Sequence, residues 1–270
     1  MYKIYTTGQE FLDENINLIR SDPLGTTFFE GNAKMIPQCD GNNYAVRVEI
    51  DGQLLLAIHV GDYPLVLYGS ERCADELAKV VTKHKLSFCK TIGALELSTV
   101  FLTAYEQRVG GSHQINKSMD VMSCGKVNCC DTADVEQATE REIEEIAQLE
   151  ADFTFEALGE RPELSELLSK VTTQINNFAV IRKNGEIVSI AEGIDEGGLC
   201  RISYVYTKPA HRNRGYSRKV VTYLTQRAIA VGNLAYLHVD KNNPISNHLY
   251  LSIGYTYNKP RYEIIYVPSK

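Results

Sequence analysis

Apolar residues recur at helical spacing in two adjoining stretches of the second half of the chain. Residues 140–150 carry Ile143, Ile146, Ala147 and Leu149, and residues 162–176 carry Leu164, Leu167, Leu168, Val171 and Ile175, so each predicts an amphipathic helix. The hydrophobic period then shortens from that of a helix to that of a strand. Segments 178–182 and 186–194 flank Lys183-Asn184-Gly185, whose Asn-Gly pair suits a tight hairpin turn, and residues 199–207 predict a third strand. After Gly215, residues Tyr216, Val220, Tyr223, Leu224, Ala228 and Val231 share one face of a helix that can cover a sheet. The apolar run 234–239 reads as another strand. Beyond it lies a short helix with its own punctuation: Asn243 suits the N-cap, Pro244 the first helical position and Gly254 the stop. Helical spacing there puts Asn243, Asn247 and Tyr250 on one side and Ile245, Leu249 and Ile253 on another, the apolar stripe being expected to pack. From near Gly125 the order is therefore helix, helix, three strands, helix, strand, helix, strand.

The first half repeats part of this layout. Segments 44–50 and 54–60 flank Asp51-Gly52 as a hairpin, 63–68 makes a third strand, and a helix follows over 72–84. An apolar stretch at 86–92, a helix over 94–107 and a strand over 114–122 complete it. Two tandem units are expected, 1–125 and 126–270, joined at about 124–131, although no residue identity between the halves supports the repeat.

Charge singles out one turn. Between residues 208 and 219 stand five Lys or Arg and no acid, in a chain whose formal net charge is -6. They surround Gly215, where a strand has ended and a helix opens. A helix start leaves N–H groups without intrahelical acceptors and adds roughly half a positive charge, so main chain alone can hold a phosphate there. Solvated basic residues on a turn would look the same locally, so the cluster needs a second signal. At the equivalent junction of the first half, Leu67-Tyr68-Gly69-Ser70-Glu71-Arg72 has an acid and no basic cluster, and phosphate binding is not expected there.

Composition narrows the class further. A chain of 270 residues, 44% of them hydrophobic, can build one large or two small cores. No apolar run nears the roughly 20 residues that span a bilayer and the first residues lack a signal-peptide core, so a cytoplasmic protein without membrane attachment is expected. Seven cysteines (39, 73, 89, 124, 129, 130 and 200) form an odd set without paired C-x-x-C spacing. Reduced thiols, no metal, and a structural rather than catalytic role for His238 follow. A short basic cluster without an aromatic platform argues against nucleic acid.

Two motifs in sequence resemble the GNAT superfamily of acetyl-coenzyme A dependent N-acetyltransferases. Arg212-Asn213-Arg214-Gly215-Tyr216-Ser217 matches the family's phosphate loop except that Ser217 replaces the usual final Gly or Ala. Asn243, Ser246, Leu249, Tyr250, Gly254 and Tyr255 match the second motif, with Ser246 for the usual Ala and Tyr255 for the usual Phe. The resemblance implies the GNAT fold, an α/β (α+β) architecture with a mixed central sheet flanked by helices, here as two tandem GNAT-like domains of which the first lacks a phosphate loop.

It also implies a mechanism. Val205, Tyr206 and Thr207 would bond the pantetheine of acetyl-CoA, residues 212–217 its pyrophosphate, and Asn243 and Asn247 would contact the coenzyme arm. Tyr250, beside the sulfur, would act as general acid, its ordinary pKa near 10 keeping it protonated at neutral pH. For the base, Glu156 and Glu192 rank equally, Asp152 lies in the same region, and a relayed water remains an alternative. The expected acceptor is a small-molecule amine. Residues 131–166 hold 13 acids against Arg141 and Arg161, a balance that would draw cationic amines or merely keep a helical face soluble. Two other readings stay open: a non-catalytic acyl-CoA sensor, and an acetyltransferase acting on a protein amine. Subunit pairing through the first half is a further open point.

Overall fold

The computed structural model describes residues 1–128, 130–159 and 161–269, so Cys129, one of the seven cysteines and part of the expected linker, lies outside the described residues. The chain divides into two compact units: Met1–Val121 with Asp240–Asn242 and Asn258–Lys270, and Met122–Val239 with Asn243–Tyr257.

The first unit comprises β1 (Tyr2–Ile4), α1 (Gly8–Ser21), α2 (Phe29–Lys34), β2 (Asn43–Ile50), β3 (Gln53–Val60), β4 (Leu65–Gly69), α3 (Ala74–Lys83), β5 (Lys90–Gly93), α4 (Leu95–Val109) and β6 (Ser112–Cys124). Its antiparallel β2–β3 hairpin turns on Asp51 (φ 49°) and Gly52 (φ 74°), both left-handed, as a two-residue turn of this hand requires. β3 shows why helices cover both faces. Leu55 and Ala57 join a core with Leu77, Val81 and Phe101 of α3 and α4, while Leu56 and Ile58 join Phe11, Leu12 and Phe29 of α1 and α2. The elements before β2 have no counterpart in the sequence reading, although Phe11, Leu12, Asn15 and Ile19 of α1 share a buried face and Thr7 caps its start. The third strand begins two residues later than expected, at Leu65, leaving Tyr63 exposed in the preceding turn.

The second unit runs β7 (Glu136–Gln137), α5 (Ile143–Leu158), α6 (Leu164–Gln174), β8 (Phe178–Lys183), β9 (Glu186–Glu196), β10 (Leu199–Thr207), α7 (Tyr216–Ala230), β11 (Leu234–Asp240), α8 (Pro244–Ile253) and the start of β12 (Thr256–Val267). The strand order is β11-β10-β9-β8-β7, with β10 parallel to β11 and antiparallel to β9. Asn184 (φ 54°) and Gly185 (φ 85°) turn the β8–β9 hairpin as expected. Ile146, Ala147, Leu167 and Val171 of α5 and α6 pack on Phe178, Val180 and Ile190, and Val220, Val221 and Leu224 of α7 pack on the opposite face with Ala179 and Ala191. The helix expected over 140–150 is longer, opening with a capping box at Thr139 and Glu142 and running to Leu158.

α8 has the boundaries read from its caps, but only part of its expected apolar stripe packs. Ile245 is 81% exposed whereas Tyr250 and Ile253 are buried, so the stripe of Ile245, Leu249 and Ile253 does not pack as a unit. Gly254 ends the helix at φ 118°, and a Cβ there would stand 2.7 Å from the Lys126 carbonyl oxygen. Gly254→Ala should therefore destabilise the protein by roughly 2 kcal/mol, through left-handed strain plus the clash, measured as a lower urea midpoint at unchanged slope.

Candidate active site

The site forms where β10 parts from β11. β10 pairs with β11 only over Leu199–Arg201, although both strands continue. On its other side Ser203 faces Glu192 and Tyr206 faces Ile190, so Tyr204 and Val205 together oppose the single residue Ala191. This is a β-bulge, and Tyr204 adopts a left-handed φ of 48° to make it. Beyond it lies a cleft of about 640 Å³, walled by Phe153, Val205, Tyr206, Thr207, the start of α7 and one side of α8.

The loop into α7 is built to leave its amides free. Asn213 (φ 61°) and Gly215 (φ 77°) both turn left-handed, and Gly215 is the N-cap, so no side chain caps the N–H groups of the first turn. That turn contains no acid, and Gly215, Tyr216, Ser217 and Arg218 line the cleft. The first unit differs at the matching junction. There Ser70 accepts from the Arg72 N–H at 3.4 Å, Ser70 N–H donates to the Leu54 carbonyl at 2.7 Å, and Glu71 sits in the first turn.

Most of the basic cluster is neutralised by the acidic segment noted in the sequence. Lys208 pairs with Glu145 (3.2 Å) and Glu186 (2.7 Å), Lys219 with Asp134 (2.8 Å), and Arg212 with Glu156 (2.6 Å). Arg214 and Arg218 reach only carbonyl oxygens, of Ala210 at 3.4 Å and Ser252 at 3.3 Å. The Arg218 Nε is buried without a hydrogen-bond partner among the described residues. An uncapped helix start and an orphaned guanidinium N–H on one cleft wall fit a phosphate-bearing ligand.

Ser217, the departure from the motif, has a structural use. Its hydroxyl lies 2.8 Å from that of Thr207, which lies 2.8 Å from that of Ser189, and Ser189 donates to the Tyr206 carbonyl at 3.1 Å. Because each hydroxyl has one proton, the last bond fixes the others: Ser217 donates to Thr207, and Thr207 to Ser189. The second residue of α7 is thereby tied to the end of β10.

On α8, Asn243 caps the helix by accepting from the Ser246 N–H at 3.1 Å and lines the cleft. Asn247 is turned to other partners. It donates to the Asn243 carbonyl, accepts from the Tyr257 hydroxyl at 2.9 Å, and is not among the cleft-lining residues. Tyr250 lines the cleft, is 8% exposed as a residue, and burial pushes its pKa up to about 12.

The carboxylates separate by position. Glu156 is on the cleft wall, half exposed and paired with Arg212. Asp152 accepts from Gln148 at 3.0 Å. Glu192 is fully buried, accepts from the Ser203 hydroxyl at 3.1 Å, lies 3.6 Å from the Lys170 Nζ, and does not line the cleft. Beside it, and absent from the sequence reading, is Glu150, fully buried and 2.7 Å from the same Lys170 Nζ. Desolvation raises the Glu150 pKa to about 7 against the pull of Lys170, and Glu192 reinforces the rise. For Lys170, burial works against the ammonium, but Glu192, Tyr204 and Glu150 together outweigh it and its pKa rises. Helical spacing could have shown Glu150 at the edge of the apolar face of α5, but not its partner twenty residues away.

Residues 143–255 match the family model described as acetyltransferase (GNAT) family. Among solved structures, a Drosophila protein superposes with a TM-score of 0.69 at 15% identity, covering 99% of this chain and 99% of its own. A GCN5-related N-acetyltransferase from Sphaerobacter thermophilus superposes at 0.63 and 15% identity, covering 99% and 96%. A GNAT-family acetyltransferase from Colwellia psychrerythraea does so at 0.61 and 14% identity, covering 99% and 100%. These are likenesses of fold. No curated protein matches the chain in sequence.

Two measurements check the site's construction. Removing the donor at the head of the hydroxyl chain, Ser217→Ala should cost about 1 kcal/mol in chemical denaturation. Glu150 holds its proton more tightly folded than unfolded, so its contribution to stability is full below about 4.5 and is lost as the pH rises through about 7. The stability difference between wild type and Glu150→Gln should therefore fall by on the order of 2–3 kcal/mol across that window. Parallel curves would show that the carboxyl does not titrate there.

Proposed function

We propose that the protein moves an acetyl group from acetyl-CoA to a primary amine of a small molecule, within the cleft of the second unit, a reading supported by the match of residues 143–255 to the acetyltransferase (GNAT) family model. The observation that carries this reading is one cleft lined by an uncapped, acid-free helix start, by Arg218 and by a buried tyrosine.

When bound, acetyl-CoA supplies a thioester carbonyl activated toward amines. The first-turn amides of α7, with Arg214 and Arg218, hold its diphosphate. Peptide groups of Val205 and Thr207, on the side of β10 from which β11 diverges, take the pantetheine arm and the carbonyl, and Asn243 takes the arm from the other wall. Tyr250 keeps its proton because its pKa lies near 12, and delivers it to the departing sulfur as the carbon–sulfur bond breaks. Of the acids nominated for the amine's proton, Glu156 is on the cleft wall and takes that role, directly or through one water. Phe153, Ala157, Ile245 and Leu249 give the cleft an apolar lining, suited to an amine carried on a compact apolar body.

The test is incubation with acetyl-CoA and a varied amine panel, following free thiol. Tyr250→Phe should lower kcat roughly 100-fold and leave coenzyme affinity within about twofold, since it removes only the acid. Arg214→Glu should weaken coenzyme binding in calorimetry by about tenfold, more at low salt than at high. Binding without thiol release on any amine would sink the transferase reading and leave a sensor. Acetylation confined to peptide amines would replace the small-molecule acceptor.

A further inference from the structure

Tyr204 holds a backbone conformation that side chains disfavour, in the middle of a strand, and its ring is clamped from two helices. The Lys170 Nζ of α6 stands 3.7 Å from the ring centroid, and the Phe153 ring of α5 meets it edge-on at 5.5 Å. Lys170 is in turn fixed by Glu150 at 2.7 Å and faces Glu192 at 3.6 Å, and Glu192 accepts from the hydroxyl of Ser203, the residue before the bulge. Residues of α5, α6, β9 and β10 thus converge on two adjacent residues of one strand. Both carboxylates are fully buried and each keeps one oxygen without a hydrogen bond among the described residues, an arrangement that apolar residues of similar size would match or better for stability alone. What apolar residues would not supply is a cation fixed over an aromatic face and a hydroxyl acceptor at the adjacent residue.

We infer that Lys170, anchored by Glu150 and Glu192, is a positioning residue that pins the Tyr204 ring and so holds the bulge that presents the Val205 peptide to the cleft. This rests on the transferase reading for its kinetic consequence but not for its structural one. Neither carboxylate lines the cleft, so the cluster acts through the backbone and not on the reactants. Its effect belongs to turnover rather than coenzyme capture, because the phosphate end of the cleft is built from other residues.

The experiment compares wild type, Lys170→Met and Lys170→Arg by hydrogen–deuterium exchange of the free protein and by kinetics with acetyl-CoA. In Lys170→Met, exchange in the peptide spanning 202–207 should rise roughly tenfold while the β11 peptide spanning 234–240 stays unchanged, and Lys170→Arg should restore most of the protection. With an accepted amine, kcat should fall about tenfold or more and KM for acetyl-CoA stay within about twofold. If wild type acetylates no amine, the transferase reading fails while the exchange comparison still decides this one. Should Lys170→Met not fold, Glu150→Gln keeps the shape and is expected to loosen the same peptide to a smaller extent. Unchanged exchange over 202–207, equal loosening of both peptides, or a Lys170→Arg protein as open as Lys170→Met would overturn the inference.

Discussion

A left-handed tyrosine inside a strand costs about 1–2 kcal/mol, and the protein places one where β10 is already losing its partner. Had β10 stayed in register with β11 to its end, its peptide groups would be consumed by the ladder, and the walls now lining the cleft would be closed sheet. The bulge and the divergence together leave backbone of β10 lining a cleft instead of pairing with β11. The start of α7, the side of α8 and the end of α5 are arranged around that one departure.

Charge in this unit is mostly spent internally. The acidic segment 131–166 and the basic cluster 208–219 look like opposed fields in sequence, yet Glu145, Glu156 and Asp134 pair with Lys208, Arg212 and Lys219 across the fold. Such exposed pairs contribute little stability each, on the order of 0–1 kcal/mol. Their larger effect is selective: they silence three of five cations and leave the remaining two beside the free amides of α7. The positive character of this turn is thus defined as much by which charges are neutralised as by which are present.

Features encoded by neighbouring residues were legible in the sequence. The Asn184-Gly185 and Asp51-Gly52 turns and the Asn243, Pro244 and Gly254 boundaries of α8 follow from local backbone preference, and the structure has them. Features set by distant partners were not. Nothing in Ser203-Tyr204-Val205 marks a bulge, and only the convergence of Lys170, Glu150 and Glu192 gives it a cause. The first turn of α8 borders a cleft rather than a sheet, so Ile245 is exposed although its spacing suggests packing. Asn247 accepts from the Tyr257 hydroxyl, a partner its helical spacing does not reveal. Glu192 suits a base by residue type, and the sequence does not show that it is fully buried beside Lys170 and Ser203.

The chain from Asn258 onward counts with the first unit, where Tyr262, Glu263, Ile264 and Ile265 pair with residues 90–93 of β5, and Asp240–Asn242 count there too. Neither unit is therefore written as one uninterrupted stretch of codons. A recombination event with a single crossover near residue 125 would strip the first unit of a strand and leave the second with a foreign tail, so exchange of one module for a homologue needs several coordinated junctions. Inheritance of the two as a single block follows from how the chain is threaded.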